Sequence, residues 1–241
     1  MKVVGNQLIL SGAVDGLDYQ KFLRMLTPSV QMVALSNSPG GDHQSGLDIA
    51  REIRSRGLST VASGFCQSSC ANIFLGGRER FLANNSSYLG FHGNYQSRRT
   101  VASSARIGQL KAFYSEMTGG KLSDEMVELF VGKQRGGYVA FFKHLTRNCT
   151  GTEAHRFRDC EKLPQTAMEQ GILTSVDDVK INAAMRPWNR EAVTAKYADL
   201  YGRTGNPLVF TFRYTIENHT GRLRITSQRQ PLQGARERQG A

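Results

Sequence analysis

The sequence predicts an α/β fold, a largely parallel sheet crossed by helices, followed by a C-terminal β-hairpin appendage. Three observations predict it. Apolar strand-like runs alternate with helical segments through the N-terminal half, the order that crossovers on a parallel sheet require. The run Val30 to Leu35 carries no charge, as a strand covered on both faces does. Near the end, Phe210, Phe212, Tyr214 and Ile216 alternate with Thr211, Arg213 and Thr215, the period of two of a separate strand.

In chain order, Leu8 to Leu10 is a short apolar strand, and Ser11-Gly12 turns into a helix near Leu17 to Leu26 that Pro28 ends. The Val30 to Leu35 strand runs into Ser36-Asn37-Ser38-Pro39-Gly40-Gly41. Leu47, Ala50 and Ile53 then recur at helical spacing, with Asp48, Arg51, Glu52 and Arg54 on the other faces and Gly57 as the stop. Leu58 to Ala62 is the next strand. After Gly64 and Cys66-Gln67-Ser68-Ser69-Cys70, the residues Ala71, Ile73, Phe74 and Leu75 read as a buried helix halted by Gly76-Gly77. Phe81-Leu82 and Tyr88 to Phe91 flank an Asn84-Asn85 turn as two short strands, and His92 follows the second. From Ser103 to Phe130 two helices are expected across Gly119-Gly120. Gln165 to Gln170 is expected to form a short helix, and Ile172 to Val176 a last strand. Residues 208 to 226 read as the hairpin. The domain division is therefore 1–186 as the α/β domain, 187–227 as linker and hairpin, and 228–241 as a disordered basic tail.

Composition excludes several classes. Hydrophobic residues at 39% and charged residues at 21% exclude wholesale disorder and fibrous repeats. No apolar run approaches the roughly 20 residues of a membrane span. The net charge of +11 reads as a solvated basic face and tail, because no RRM, zinc-finger or helix-turn-helix pattern accompanies it; specific nucleic-acid binding is not expected. The N-terminus shows no export leader, so cytoplasm is the default expectation, or periplasm if a leader has been removed. Four cysteines lack the paired spacing of a zinc site, and no metal or cofactor is expected. Cys149 and Cys160 bracket a loop-like stretch, where a bridge in an oxidising compartment and two buried thiols both fit.

The chemistry-bearing residues follow successive strands. Gly40-Gly41, between a strand and a helix, permits close approach of a ligand to backbone amides, and equally suits an ordinary turn. Ser68 opens an apolar helix, a place for a nucleophile or for a plain N-cap, with Ser69 as a neighbouring rival. His92, at a strand end, has the ordinary pKa of a general base at neutral pH, though a lone histidine is commonly structural. His43, beside Gly41 and Asp42, either lines a site or is simply exposed. Together, a glycine turn after one strand, a serine after the next and a histidine after a third supply oxyanion donor, nucleophile and base.

Asn37-Ser38-Pro39-Gly40-Gly41, the helix containing Gly46, Gln67-Ser68-Ser69 leading to Phe74-Leu75-Gly76-Gly77, and Gly90-Phe91-His92 resemble the successive signatures of the ClpP peptidases. They resemble still more a bacterial ClpP-like group related to signal peptide peptidase SppA, in which cysteines flank the nucleophile as Cys66 and Cys70 do here. The resemblance runs clearly from about Gln7 to His92. It continues more faintly to Val176, by way of the segment Leu163 to Ile172. It implies a ClpP/crotonase-like repeated β-β-α spiral, with Ser68 as nucleophile, His92 as base and the amides of Gly41 and Ser69 as oxyanion hole. For the acid, Glu128 stands nearest the family's position, with Glu153 and Asp159 as fallbacks. The stretch Gly132 to Lys162 exceeds the family pattern.

The resemblance also implies a homo-oligomer acting on peptides or proteins, with any ATPase or adaptor a separate partner, since the chain has no Walker A pattern. Two other readings keep the fold: a crotonase-like acyl-CoA enzyme, against which the serine and histidine argue, and a non-catalytic scaffold.

Overall fold

The computed structural model describes residues 1–93, 104–132, 137–150 and 158–181, and the backbone of two further strands, Phe210–Glu217 and Arg222–Arg229. The chain divides into two compact units, Met1–Arg186 and Pro187–Ala241.

The first unit is mixed α/β. Its strands are β1 (Lys2–Val4), β2 (Gln7–Ser11), β3 (Met32–Ser38), β4 (Ser59–Gln67), β5 (Arg80–Leu82), β6 (Tyr88–Phe91), β7 (Gly137–Phe141), β8 (Thr146–Thr150) and β9 (Arg158–Leu163). They form one sheet in the order β1-β2-β3-β4-β6-β7-β8-β9, with β5 also paired to β4. The pairs β2–β3, β3–β4, β4–β5 and β4–β6 are parallel, and β1 and β7 to β9 join antiparallel. The helices are α1 (Asp18–Met25), α2 (His43–Ser55), α3 (Ser69–Leu75), α4 (Ser104–Thr118) and α5 (Asp124–Gly132).

The central strands carry no charge because both faces of the sheet are covered. Leu8, Leu10, Val33, Leu35 and Ala62 enter the main core with α2 and α3, whereas the alternate residues Ile9, Ala34 and Val61 enter a smaller cluster with Val179 and Ile181. Every residue of α3 is buried, which explains its lack of a polar face. Beyond β6, the ring of Phe91 stacks on Phe130 at 4.8 Å and meets Phe141 and Tyr114 edge-on, fastening α4, α5 and β7 to the end of the parallel sheet.

Several expectations need correction. β4 continues past Ala62 to Gln67, because Gly64, at φ 69°, gives way to the Asn37 side chain and the pairing resumes after a register shift near Ser36/Ser38. Gln165 to Gln170 forms one turn rather than a helix: Thr166 and Glu169 cap its start, the carboxylate accepting from the Thr166 amide and the Thr166 hydroxyl from the Glu169 amide, and after the single bond from the Gln170 amide to the Thr166 carbonyl the left-handed Gly171, at φ 65°, ends it. Ile172 to Val176 is not a strand. The amides of Ile172 and Leu173 donate to the Ala167 carbonyl, and the buried Arg80 guanidinium takes the carbonyls of Gly171 and Ile172, so the segment's hydrogen bonds are spent outside a ladder. The long stretch from Gly132 holds the meander β7–β8–β9. Its polar strand Thr-Arg-Asn-Cys-Thr gives little apolar periodicity, and the Cys149–Cys160 disulfide joins β8 to β9 directly.

In the second unit, β10 (Phe210–Glu217) and β11 (Arg222–Arg229) pair antiparallel, with Tyr214 opposite Ile225. β11 carries through Gln228 and Arg229, which the sequence reading assigned to the tail. The turn between the strands and residues 230–241 lie outside the described residues.

Candidate active site

Three neighbouring strands deliver the site. The order β3-β4-β6 places the Gly40-Gly41 turn, Ser68 and His92 at the C-terminal ends of adjacent parallel strands, about 4.8 Å apart from one strand to the next. Gln67 pairs with Gly90, so Ser68 and His92 follow the last paired residues of their strands.

Ser68 is conformationally exceptional. Its φ of 55° and ψ of −128° are those of the first central residue of a type II′ turn, a place usually held by glycine. Such a conformation costs of order 1–3 kcal/mol and persists only where surrounding structure imposes it. Here the Ser68 amide donates to the Gly90 carbonyl at 2.9 Å, and the Ser68 carbonyl accepts from the Asn72 amide at 3.2 Å. The result is a sharp strand-to-helix junction with Ser68 half-buried at its tip. Its rival Ser69 points inward: it is 2% exposed and its hydroxyl has no partner among the described residues. Ser69 packs on α2 at Gly46, where a Cβ would lie 2.7 Å from the Ser69 Cβ.

The glycine turn meets this junction directly. A Cβ on Gly40, whose φ is 84°, would lie 2.6 Å from the Ser68 Cβ and 2.8 Å from the Ser69 nitrogen. The turn is fixed by Val14, whose amide donates to the Gly40 carbonyl at 2.9 Å and whose carbonyl accepts from the Asp42 amide at 2.8 Å. The Gly41 amide between those two bonds is exposed and finds no acceptor among the described residues. The Ser69 amide is the first of α3 and has no acceptor within its own helix.

His92 is half-buried, with the Tyr138 ring edge-on at 5.1 Å. Its Nδ1 lies 2.7 Å from the Gly93 carbonyl, which can only accept. Nδ1 therefore carries the proton, and Nε2 is the basic nitrogen of the neutral ring. Desolvation of the ring lowers the His92 pKa below the ordinary 6.5, and the bond to Gly93 offsets part of that effect. No hydrogen bond joins the Ser68 hydroxyl to His92 in this structure; the two stand on adjacent strand ends. Behind them, Gln67 donates to the Tyr88 hydroxyl at 2.8 Å in a buried contact, and burial drives the Tyr88 pKa far upward, keeping the phenol neutral.

The three candidate acids lie in different places. The Glu128 carboxylate, on α5, pairs with Lys111 and its side chain is 58% exposed. Asp159 contributes its backbone to β9, and Glu153 lies outside the described residues. His43 is half-buried at the start of α2 and His144 is exposed between β7 and β8. Among the described residues no cluster of three or more His, Cys, Asp or Glu is placed to hold a metal, and no helix is long and apolar enough to cross a membrane.

Sequence reasoning missed one feature of the site. Cys66 and Cys70 are joined by a disulfide with Cα atoms 5.3 Å apart, spanning Ser68 symmetrically. The signal was present in the spacing, two cysteines four apart across a strand-to-helix junction.

No protein-family model matches the chain, and no curated protein does. Among solved structures, it is similar to a mutant of the 1510-N membrane-bound stomatin-specific protease, with 13% identity, 72% of this chain and 79% of that one covered, and a TM-score of 0.48. It is likewise similar to ClpP1 from Listeria monocytogenes, with 16% identity, 73% and 93% coverage, and a TM-score of 0.46. Likenesses at this level leave the site to be read from the chain's own geometry.

Proposed function

We propose that this chain is a ClpP-like serine peptidase that hydrolyses peptide bonds through an acyl-enzyme at Ser68. The observation that carries the reading is the strained backbone of Ser68 at a strand-to-helix junction, pressed against a glycine turn and beside a histidine-bearing strand end. A serine held at such an elbow presents its hydroxyl outward with unpaired amides close by, the arrangement acyl transfer needs.

In the proposed cycle, His92 Nε2 takes the Ser68 proton as Oγ attacks the scissile carbonyl. The amides of Gly41 and Ser69 donate to the oxyanion, each well-aimed donor contributing about 3 to 4 kcal/mol. His92 then returns the proton to the leaving amine, and water completes hydrolysis by the reverse path. The Gly93 carbonyl orients the ring and fixes its tautomer, the task an acid performs in a full triad. Lacking a carboxylate charge, it stabilises the imidazolium less, so a slow enzyme is expected. The hydrogen bond between Ser68 and His92 forms when substrate closes the site, as catalytic contacts commonly tighten on binding.

Peptides or proteins are the proposed substrates, taken by an oligomer. Two disulfides among four cysteines support an oxidising compartment. Alkylation without prior reduction should leave the mass of the isolated protein unchanged if that is where it resides.

The direct test is a fluorophosphonate probe with peptide mapping. Wild type should be modified at Ser68, with none on Ser68→Ala and slower reaction on His92→Ala. Folded wild type that takes no label would favour the scaffold reading, and coenzyme A thioester binding without hydrolysis would favour the acyl-CoA reading.

A further inference from the structure

We propose that the Cys66–Cys70 disulfide is a positioning clamp that holds Ser68 in its reactive backbone conformation. The inference rests on the reading of Ser68 as nucleophile. It adds a role for two residues outside the reacting groups.

The geometry separates this disulfide from an ordinary core staple. It bridges four positions, and the residue at its midpoint is Ser68, one of only two non-glycine residues with positive φ among the described residues. Cys66 is anchored in the middle of the sheet, paired with Ser38 on one side and Leu89 on the other. Cys70 is 1% exposed in α3, whose side chains are packed on all sides. The bond thus ties a buried, paired strand end to a buried helix start, and the intervening chain must reverse sharply within three residues, Gln67, Ser68 and Ser69. Beside it act the packing of the Gly40 turn and two backbone hydrogen bonds, from the Ser68 amide to Gly90 and from the Asn72 amide to Ser68. Hydrogen bonds open and close in native proteins, whereas a covalent bond does not.

A second consequence concerns the oxyanion donors. The Ser69 amide belongs to the clamped segment, and the Gly40 turn packs on its nitrogen. Releasing the clamp lets Ser68 relax toward ordinary dihedrals, which rotates its side chain and the following peptide together. Loss of the clamp should therefore act on the rate of reaction more than on substrate affinity.

The experiment uses the full chain. Cys66→Ala/Cys70→Ala and Cys66→Val/Cys70→Ala remove the clamp with apolar replacements suited to buried positions. Cys149→Ala/Cys160→Ala removes the other disulfide as a control. Three quantities are measured: the fluorophosphonate rate at Ser68, peptide kcat and KM, and amide exchange at Ser68 and Asn72. Without the clamp, the labelling rate and kcat should fall by between about fivefold and 150-fold, the range that relief of this backbone strain allows, with KM within about twofold. Exchange at Ser68 and Asn72 should quicken while the central strands stay protected. The control should react within about twofold of wild type even though its unfolding midpoint drops.

Should the clamp variants not fold, the control protein retains only the Cys66–Cys70 bond. Dithiothreitol reduces it, gaining a cyclic disulfide as the two thiols form, and re-oxidation by oxidised dithiothreitol reverses the exchange. Loss of labelling on reduction while the far-UV circular dichroism of the folded protein persists, and its return on re-oxidation, support the clamp; loss of both together overturns a role confined to Ser68. Folded clamp-free protein with wild-type labelling and wild-type exchange at both amides overturns it. An unlabelled wild type whose Ser68 and Asn72 amides still depend on the disulfide refutes the nucleophile and leaves the backbone clamp standing.

Discussion

Replacing Gly40 by alanine tests the contact on which the site is built. Two costs can be worked separately. Gly40 has a φ of 84°, and a non-glycine residue in the left-handed region costs about 1–2 kcal/mol. The new Cβ would also stand 2.5 Å from the Gln67 carbonyl oxygen, 2.6 Å from the Ser68 Cβ and 2.8 Å from the Ser69 nitrogen, so backbone must move. Forced repacking of that kind costs about 1–3 kcal/mol, for a total of about 2–5 kcal/mol. Gly57 isolates the first cost, because its φ is 65° and nothing lies within 4 Å of the added Cβ. Urea unfolding at unchanged m value should place Gly40→Ala at least about 1 kcal/mol below Gly57→Ala. The displaced junction should also slow fluorophosphonate labelling about a hundredfold, the usual consequence of a misplacement near 1 Å, whereas Gly57→Ala should label normally. Equal stability of the two variants together with normal labelling of Gly40→Ala would refute the abutment of turn and serine.

Three other perturbations address separate parts of the structure. Because burial lowers the His92 pKa, the acid limb of the labelling rate should have its midpoint below 6.5, and a midpoint above 6.5 would contradict the desolvated ring. The linked stability has a definite sign: between the depressed folded pKa and 6.5 the unfolded chain binds more protons, so His92 makes the protein less stable as pH falls through that window, and His92→Gln should flatten this part of the urea profile. Arg80→Met orphans the buried carbonyls of Gly77, Gly171 and Ile172, to which the guanidinium donates at 2.7, 2.7 and 3.0 Å, and should lower the unfolding free energy by at least about 3 kcal/mol; a loss under about 1 kcal/mol would show the 171–173 segment is held by other contacts. Glu128→Gln should leave Ser68 labelling within about twofold of wild type, since its carboxylate pairs with Lys111 on the surface, and a fall of about 10⁴-fold would restore it as the triad acid.

Much of the first unit was legible because periodicity and punctuation agree there. Val30 to Leu35 reads as a buried strand from its lack of charge, and the structure covers both of its faces. The helix after Gly41 reads from Leu47, Ala50 and Ile53, all of which pack into the core. β8 was illegible for the opposite reason: Thr146 and Cys149 are buried and Arg147 and Thr150 are exposed, a pattern that needs the partner strands and the disulfide to be recognised. The turn at Gln165 to Gln170 has the composition and the start signal of a helix, and it ends after one turn at the left-handed Gly171, whose carbonyl the distant Arg80 takes.

The candidate site divides the same way. Ser68 was readable from its place at the start of an apolar helix and His92 from its place after a short apolar run, signals carried by neighbouring residues. The pairing of β4 with β6, the left-handed backbone of Ser68, the proton on His92 Nδ1 and the pairing of Glu128 with Lys111 were not readable. Each depends on groups far apart in the chain, and only a folded sheet sets their distances and orientations. Sequence alone determined which residue types stand at the strand ends. Tertiary structure decided which of them meet, because hydrogen bonds and steric contact act through space rather than along the chain.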